Sequence, residues 1–437
     1  MSRDATGLAL SVLNSFAGSS IADQLKIRKW VEKLAYTGTK TGFQAIGVAS
    51  RQFKAVNNVL KPARLDKPTR NNDLFDLSIT DEQQMIRDSV QRFAIDLIRP
   101  AAAQANDDCM TPQNLLDQAT ELGLHYYAVP EAFGGAALER SPVTSMLIAE
   151  DLAYGDMGIA LSILAPISVA NALTQWGTAD QQSRYLGAFV EDKPVKASIA
   201  VNEPAPLFNP HKLSTKAEKR GNQYILNGIK SLVPIAAGTE LFLVAAEVAG
   251  EGPAVFLIES GTEGLSIKED NSMGNRAAGL CTLRLKNLTL NEQQRLGSPG
   301  EFNYAEFVNL AHLSWCAMAV GVCQAVLDYV IPYSNERIAF GEPVSHRQSV
   351  AFMIANIRIE LDAMRVMTMR AASLAEQGRP FQREAYLAKV LCTEKALEIA
   401  TNGVQLLGGH GFTKEHPVER WYRDLQIVAM ADGGLHL

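Results

Sequence analysis

Apolar positions first recur with a clear period just beyond residue 78. Ile86, Val90, Phe93, Ala94 and Leu97 stand at i, i+4, i+7, i+8 and i+11, which gathers them on one face of a helix. Thr80 and Gln83 have the spacing of a capping box at its start, and Pro100 is expected to end it. Further helices are predicted over 112–122, 141–154, 160–176 and 179–190. The pattern changes at Lys196. Lys196–Val201, Gln223–Lys230, Leu241–Glu247, Ala254–Glu259 and Leu280–Leu290 are short, rich in β-favouring residues and separated by turn signals such as Arg220-Gly221-Asn222. Helical periodicity returns beyond Gly300 in three long runs, 303–330, 344–377 and 383–407, with Gly378 and Gly408 as stops. The chain therefore reads as an α+β multidomain protein. An N-terminal helical domain is expected over 75–195, a small β-sandwich or barrel over 196–299, and a C-terminal helical bundle of the four-helix type over 300–437.

Residues 1–74 stand apart as a basic amphipathic extension and linker. The first 70 residues hold 12 Lys and Arg against 4 Asp and Glu, a net of +8, leaving the rest at −14. Ile27, Trp30, Val31 and Leu34 recur at helical spacing, while Lys26, Lys29 and Lys33 line another face. Two readings stay open: residues 21–60 contact an anionic membrane surface or a partner, or the extension packs on the acidic body of its own chain. Asp4, Asp23 and Glu32 argue against a targeting peptide.

Composition narrows the class. A 437-residue chain with 47% hydrophobic and 20% charged residues has the balance of a globular protein of two or three domains. Its five cysteines form no CxxC, which argues for reduced thiols and against a disulfide framework or zinc site. No apolar run of membrane-spanning length is expected, so the protein reads as soluble and cytoplasmic, with peripheral contact to the inner face of a membrane under the first reading above. No metal-ligand cluster, nucleophile elbow or nucleic-acid module is evident.

The densest chemical signal lies near the C-terminus. Gln405-Leu-Leu-Gly408-Gly409-His410-Gly411-Phe412 is followed by Arg423-Asp424 and then by Ala431-Asp432-Gly433-Gly434. Adjacent glycines let a charged group approach backbone N–H donors closely. The lone carboxylate Asp432, with two glycines behind it, suggests a base on a mobile turn. This ordered string resembles the C-terminal signature of the acyl-CoA dehydrogenase family, where a Gly-Gly-x-Gly turn precedes an Arg-Asp pair and a catalytic carboxylate. The order of helices, small β domain and helical bundle is also that family's fold, and the resemblance covers roughly residues 76–437.

Other motifs agree. Val129-Pro130-Glu-Ala-Phe133-Gly134-Gly135 is similar to the family's Pro-x-x-(Tyr/Phe)-Gly-Gly. Arg337-Ile-Ala-Phe340-Gly341, with Gln348 beyond, resembles the string that contacts the FAD diphosphate of an adjacent subunit. An arginine suits that role because it is always charged and offers a fork of donors. Asn202-Glu203-Pro204 stands where the family has Thr-Glu-Pro beside the flavin, and Asn227-Gly228-Ile-Lys230 matches Asn-Gly-x-Lys. The resemblance thus implies Asn202, Arg337, Phe340, Gln348, Gln405, Gly408 and Gly409 at FAD, His312 and Gly433 at the substrate, and Asp432 as base. His410 and His416 are candidates for adenine or ribose contacts, though histidines more often satisfy local partners. Met353, Met364, Met367 and Met369 read as helix packing.

The chain also departs from the family pattern. Leu232-Val233-Pro234 replaces Trp-x-(Thr/Ser), and proline offers neither hydroxyl nor N–H to the flavin N5. Ala205-Pro-Leu-Phe-Asn-Pro210 replaces a glycine-serine loop, His312 stands where many relatives have arginine, and Ala311 where some carry an alternative glutamate. The base is aspartate instead of glutamate. The resemblance implies α,β-dehydrogenation of an acyl-CoA, with Asp432 taking the α-proton, FAD N5 the β-hydride, and an electron-transfer flavoprotein the electrons. The N–H of the base residue and a flavin ribityl hydroxyl would stabilise the enolate. A homodimer or homotetramer is implied as well. Two alternatives stay open: a flavin oxidase of the nitroalkane-oxidase type, which also uses an aspartate, and a non-catalytic scaffold of the same fold.

Overall fold

A computed structural model describes residues 77–137, 141–235 and 238–433. The basic extension and its linker lie outside these residues. Helix α1 (Asp81–Phe93) opens on the expected capping box: Thr80 Oγ1 accepts from Gln83 N, and Gln83 Oε1 accepts from Thr80 N. Pro100 does not end it. The helix runs on through a π-helical segment, Ala94–Ile98, into α2 (Arg99–Asp108), so that the π-helical turn immediately precedes Pro100, which has no N–H to bond back. Helices α3 (Gln113–Glu121), α4 (Pro142–Gly155), α5 (Met157–Trp176) and α6 (Ala179–Tyr185) follow. Helix α5 begins three residues before its expected start because Asp156 caps it, accepting from Ile159 N.

Seven strands form a curled sheet: β1 (Ala197–Ala200), β2 (Lys216–Arg220), β3 (Gln223–Val233), β4 (Leu241–Val248), β5 (Gly252–Glu259), β6 (Leu265–Glu269) and β7 (Cys281–Asn291). The polar strands β2 and β6 escape the hydrophobic pattern, since their sequences Lys-Ala-Glu-Lys-Arg and Leu-Ser-Ile-Lys-Glu are largely exposed. One edge of β4 pairs with β5, and its other edge is shared by β1 and the start of β2, both parallel to it. Because the sheet curls around one apolar cluster and lays its other face on α5, β4 is buried on both faces, as its continuous apolar run suggests.

The second helical section holds α7 (Tyr304–Glu336), a short hairpin of β8 (Ile338–Ala339) and β9 (Glu342–Pro343), α8 (Gln348–Glu376), α9 (Gln382–Leu407) and α10 (Val418–Leu425). The expected start of α8 at 344 moves to 348 because the hairpin and a 3₁₀ turn occupy the preceding residues. Met364 is fully buried, with Met353, Met367 and Met369 packed beside the same core. Helices α5 and α7 are long and apolar enough to cross a membrane by length and composition, contrary to the sequence expectation. Two thirds of the most apolar window of each is buried within the fold, as a core helix requires. None of the five cysteines is in a disulfide.

Candidate active site

Asp432 is built into a tied turn. Its φ of +52° is a left-handed conformation uncommon for aspartate, and the surroundings impose it. Lys389, buried in α9, donates to the carbonyls of Val428 at 2.7 Å and Ala431 at 2.9 Å. His312 Nε2 donates to Asp432 O at 2.8 Å, and Asp432 N donates to Asn202 Oδ1 at 2.8 Å. Trp315, one turn along α7 from His312, donates its indole N–H to Asp432 Oδ2 at 2.7 Å. The mobile turn expected from the flanking glycines is therefore a pinned one. Gly433 explains part of this: its φ is +109°, and a Cβ there would lie 2.4 Å from Pro210 Cδ. The loop Ala205–Pro210 thus closes against Gly433.

Asn202 is held as firmly. Its carbonyl accepts from Ser231 N at 3.0 Å, next to a buried ion pair between Lys230 and Glu203 at 2.9 Å. Lys230 also reaches Val201 O, while Ser214 N and Thr215 N donate to the Glu203 carboxylate. Burial alone would push Glu203 upward, but the Lys230 charge and these donors outweigh it and hold the carboxyl low. The Asn-Gly-x-Lys motif acts here through Lys230, which fixes the Asn202–Glu203 segment.

Asp432 and Trp315 open on a cavity of about 460 Å³ between α4, α5 and α7. Apolar side chains including Met146, Leu161, Leu164, Leu310 and Met318 form much of its wall, and Asn202, Leu232 and Pro234 lie at the Asp432 end. Leu232 and Ile235 both have positive φ, and the irregular register of β3 after Lys230 brings Pro234 to the wall. Among the described lining residues the carboxylates are Asp432 and Glu82, and Glu82 is exposed at the start of α1. Burial pushes the Asp432 carboxyl up from its ordinary value, opposed by the Trp315 hydrogen bond and the Lys389 charge. His312, pushed down to about 3 chiefly by burial, is neutral.

The geometry places two expected groups behind the Asp432 turn and engages a third. His312 and Gly433 were expected at the substrate, but neither lines the cavity; both brace the Asp432 turn from behind. The N–H of Asp432, expected to stabilise an enolate, is already engaged by Asn202.

The remaining expected cofactor residues gather elsewhere. Tyr333, one turn before Arg337, bonds Leu407 O and His410 Nδ1, so the end of α7 adjoins the glycine turn. Arg347 sits over the Phe340 ring at 5.8 Å, which joins the hairpin to the start of α8. Arg337, Gln348, Gln405, Gly408 and Gly409 are exposed, Phe340 is 97% exposed, and none of them lines the Asp432 cavity. A Cβ on Gly408 or Gly409 would meet nothing within 4 Å, leaving the turn open to an approaching group. His410 and His416 bond the hydroxyls of Tyr333 and Tyr329.

Family profiles of the acyl-CoA dehydrogenase N-terminal, middle and C-terminal domains match residues 80–193, 198–288 and 304–435. The mitochondrial short/branched chain specific acyl-CoA dehydrogenase of Rattus norvegicus is 33% identical over 364 residues, spanning 82% of this chain and 83% of that protein. The chain belongs to the acyl-CoA dehydrogenase family. Cyclohex-1-ene-1-carbonyl-CoA dehydrogenase of Geobacter metallireducens is 28% identical, over 81% of this chain and 95% of its own. The structure of butyryl-CoA dehydrogenase from Megasphaera elsdenii superposes with a TM-score of 0.75 at 27% identity, covering 83% of this chain and 97% of that one.

Acyl-CoA dehydrogenases are FAD-dependent oxidoreductases acting on CH–CH bonds. The residues fit that cofactor in two separate sets: the Asn202 end of the Asp432 cavity, and the open glycine turn with the exposed guanidinium of Arg337. The Arg423-Asp424 pair of the family signature does neither job. Arg423 donates to Met273 O and Asn106 Oδ1, and Asp424 accepts from Asn275 N, so the pair stitches α10 to the β domain and α2. Trp315 and Lys389 were not found from the sequence. The available signal was spacing: Trp315 shares a helix face with His312, and Lys389 is a lone lysine in an apolar stretch of α9.

Proposed function

We propose that this chain dehydrogenates an acyl-CoA thioester with Asp432 as the α-proton base. The observation that carries this is a buried carboxylate, raised by burial, at the end of an apolar cavity that contains no other buried carboxylate among the described residues. FAD, when bound, supplies the acceptor for the substrate β-hydride. Asp432 takes the α-proton, the cavity wall orients the acyl chain, and the side-chain amide of Asn202, whose oxygen is turned to Asp432 N, keeps its NH₂ as a donor on the cavity side. Arg337, Gln348, Gln405, Phe340 and the Gly408–Gly409 turn serve the FAD of a second copy, which makes the working unit a homodimer or homotetramer. An electron-transfer flavoprotein accepts the electrons.

A second reading is favoured by the engaged Asp432 N–H. A carbon acid that carries its own charge-stabilising group, such as a nitroalkane, needs less from that donor. The test is the absorbance of the flavin-loaded protein before and after anaerobic addition of a panel of acyl-CoAs. Bleaching by an acyl-CoA supports dehydrogenation. Bleaching by a nitroalkane alone, with rapid reoxidation by oxygen, replaces it with the oxidase reading.

A further inference from the structure

Asp432 presents two oxygens in unequal surroundings. Oδ2 accepts from Trp315 Nε1 at 2.7 Å, whereas no hydrogen bond to Oδ1 is found among the described residues, and Asp432 lines the cavity. Trp315 lines that same cavity. His312 and Trp315 stand at i and i+3 on α7, so one helix face grips Asp432 at its carbonyl and at its carboxylate. Asn202 and Lys389 fix the backbone of the turn from other elements. With the backbone held on three sides, the remaining freedom of Asp432 is rotation about its side-chain bonds, and the indole restrains that rotation.

We propose that Trp315 is the positioning residue of Asp432: its indole N–H holds Oδ2 and leaves Oδ1 as the oxygen that accepts the substrate α-proton. This rests on Asp432 being the base. An aspartate is one methylene shorter than the glutamate of the family pattern, so its reach depends on backbone placement and rotamer more than a longer side chain's would. The rigid indole supplies that placement without adding a charge. It also stabilises the ionised carboxylate, which burial disfavours. The other ionisable groups around Asp432 are Lys389 on α9, whose positive charge acts in the same direction, and His312 and Tyr304 on α7. His312 is neutral and Tyr304 is pushed well above its ordinary value by burial, so neither changes charge across the working range.

The test compares wild type, Trp315→Phe, Trp315→Gln and Asp432→Asn as flavin-loaded proteins. Phenylalanine keeps apolar bulk and removes the donor, and glutamine restores a neutral N–H donor. In Trp315→Phe the acid limb of flavin reduction should move up by about one pH unit or more, since a hydrogen bond to a charged group has been lost. The reduction rate should fall about tenfold at neutral pH while the acyl-CoA concentration at half-saturation changes little. Trp315→Gln should return the limb toward wild type. A substrate-free readout is the infrared titration of the Asp432 carboxyl band, assigned by its loss in Asp432→Asn, which should shift upward in Trp315→Phe. A slower Trp315→Phe with an unmoved acid limb and carboxyl band would make the indole mere packing and overturn the proposal. Unimpaired reduction in Asp432→Asn would remove the base assignment itself, and the proposal with it. Should Trp315→Phe fold poorly, a Trp315→Gln protein that loses both the rate and the wild-type pH profile despite intact flavin binding would equally count against it.

Discussion

The backbone N–H of Asp432 lies 2.8 Å from Asn202 Oδ1, joining the loop after β1 to the C-terminal turn across 230 residues of chain. The contact is buried, so removing the acceptor strands an N–H. Asn202→Ala should therefore lower stability by about 1–3 kcal/mol, the cost of an unsatisfied buried donor. It should also slow substrate reduction of the flavin, because the turn that presents the carboxylate loses one of its ties. Thermal melts alongside stopped-flow reduction check both, and an unchanged melt would show that water or another acceptor replaces Asn202 at no cost.

Much of this arrangement was legible in the sequence, for reasons that also mark the limits. Long helices such as α7 and α9 bury a continuous face, so their apolar period is strong, and Thr80 with Gln83 announces α1 by a purely local exchange of hydrogen bonds. Strands β2 and β6 were missed because backbone pairing with their neighbours, and not burial of their own side chains, makes them strands. At the site, Asp432 and Asn202 stood out through motif order. The roles of Trp315, His312 and Lys389 did not, since each depends on contacts distant in sequence, from 39 residues for Lys389 with Val428 to 120 for His312 with Asp432. Gly433 was similarly opaque: its need for glycine comes from Pro210, a neighbour only in the folded chain.

Arg337 and the Gly408–Gly409 turn lie together on the surface and outside the Asp432 cavity. If they hold the FAD of a second copy, Arg337→Ala should reduce the flavin retained after gel filtration without changing the melting temperature of the flavin-free protein. Gly408→Val should reduce retention more severely and also lower the flavin-free melting temperature, because a φ of +58° strains a β-branched residue. The ratio of flavin to protein absorbance is the measurement. Full retention in both variants would place the cofactor elsewhere.

Arg420 Nε donates to the buried Asp156, and its charge, with that of Arg423, also acts on the buried Asp424. Burial, reinforced by the neighbouring Asp156, pushes the Asp424 carboxyl up to about 7. A carboxyl raised on folding favours the folded state fully below its ordinary value of 3.8, and that contribution is lost as the pH rises through about 7. This group's contribution to the wild-type melting temperature should therefore fall between about pH 4 and about 7, beyond which it is ionised in both states. Asp424→Asn keeps an acceptor for Asn275 N and cannot ionise, so its profile should be flatter and cross above wild type at the alkaline end. Parallel melting profiles for the two proteins across this range would refute the assignment.

The chemistry at Asp432 admits the most direct test. Asp432→Asn preserves size, the backbone N–H to Asn202 and the carbonyl that His312 holds, but it removes the proposed base. FAD and acyl-CoA should bind as before, while anaerobic reduction of the flavin slows by at least about a hundredfold, the lower end for a lost general base. Asp432→Glu asks a different question. The extra methylene must fit beside Trp315 in a turn closed by Gly433 and Pro210, so the longer carboxylate should retain activity only with a changed preference for acyl-chain length. Stopped-flow reduction of all three proteins with an acyl-CoA that reduces the wild type decides the matter. Equal rates for wild type and Asp432→Asn would mean that the base is not Asp432. Ala311 could not replace it, and Glu82, the cavity's other carboxylate among the described residues, stands exposed at the start of α1.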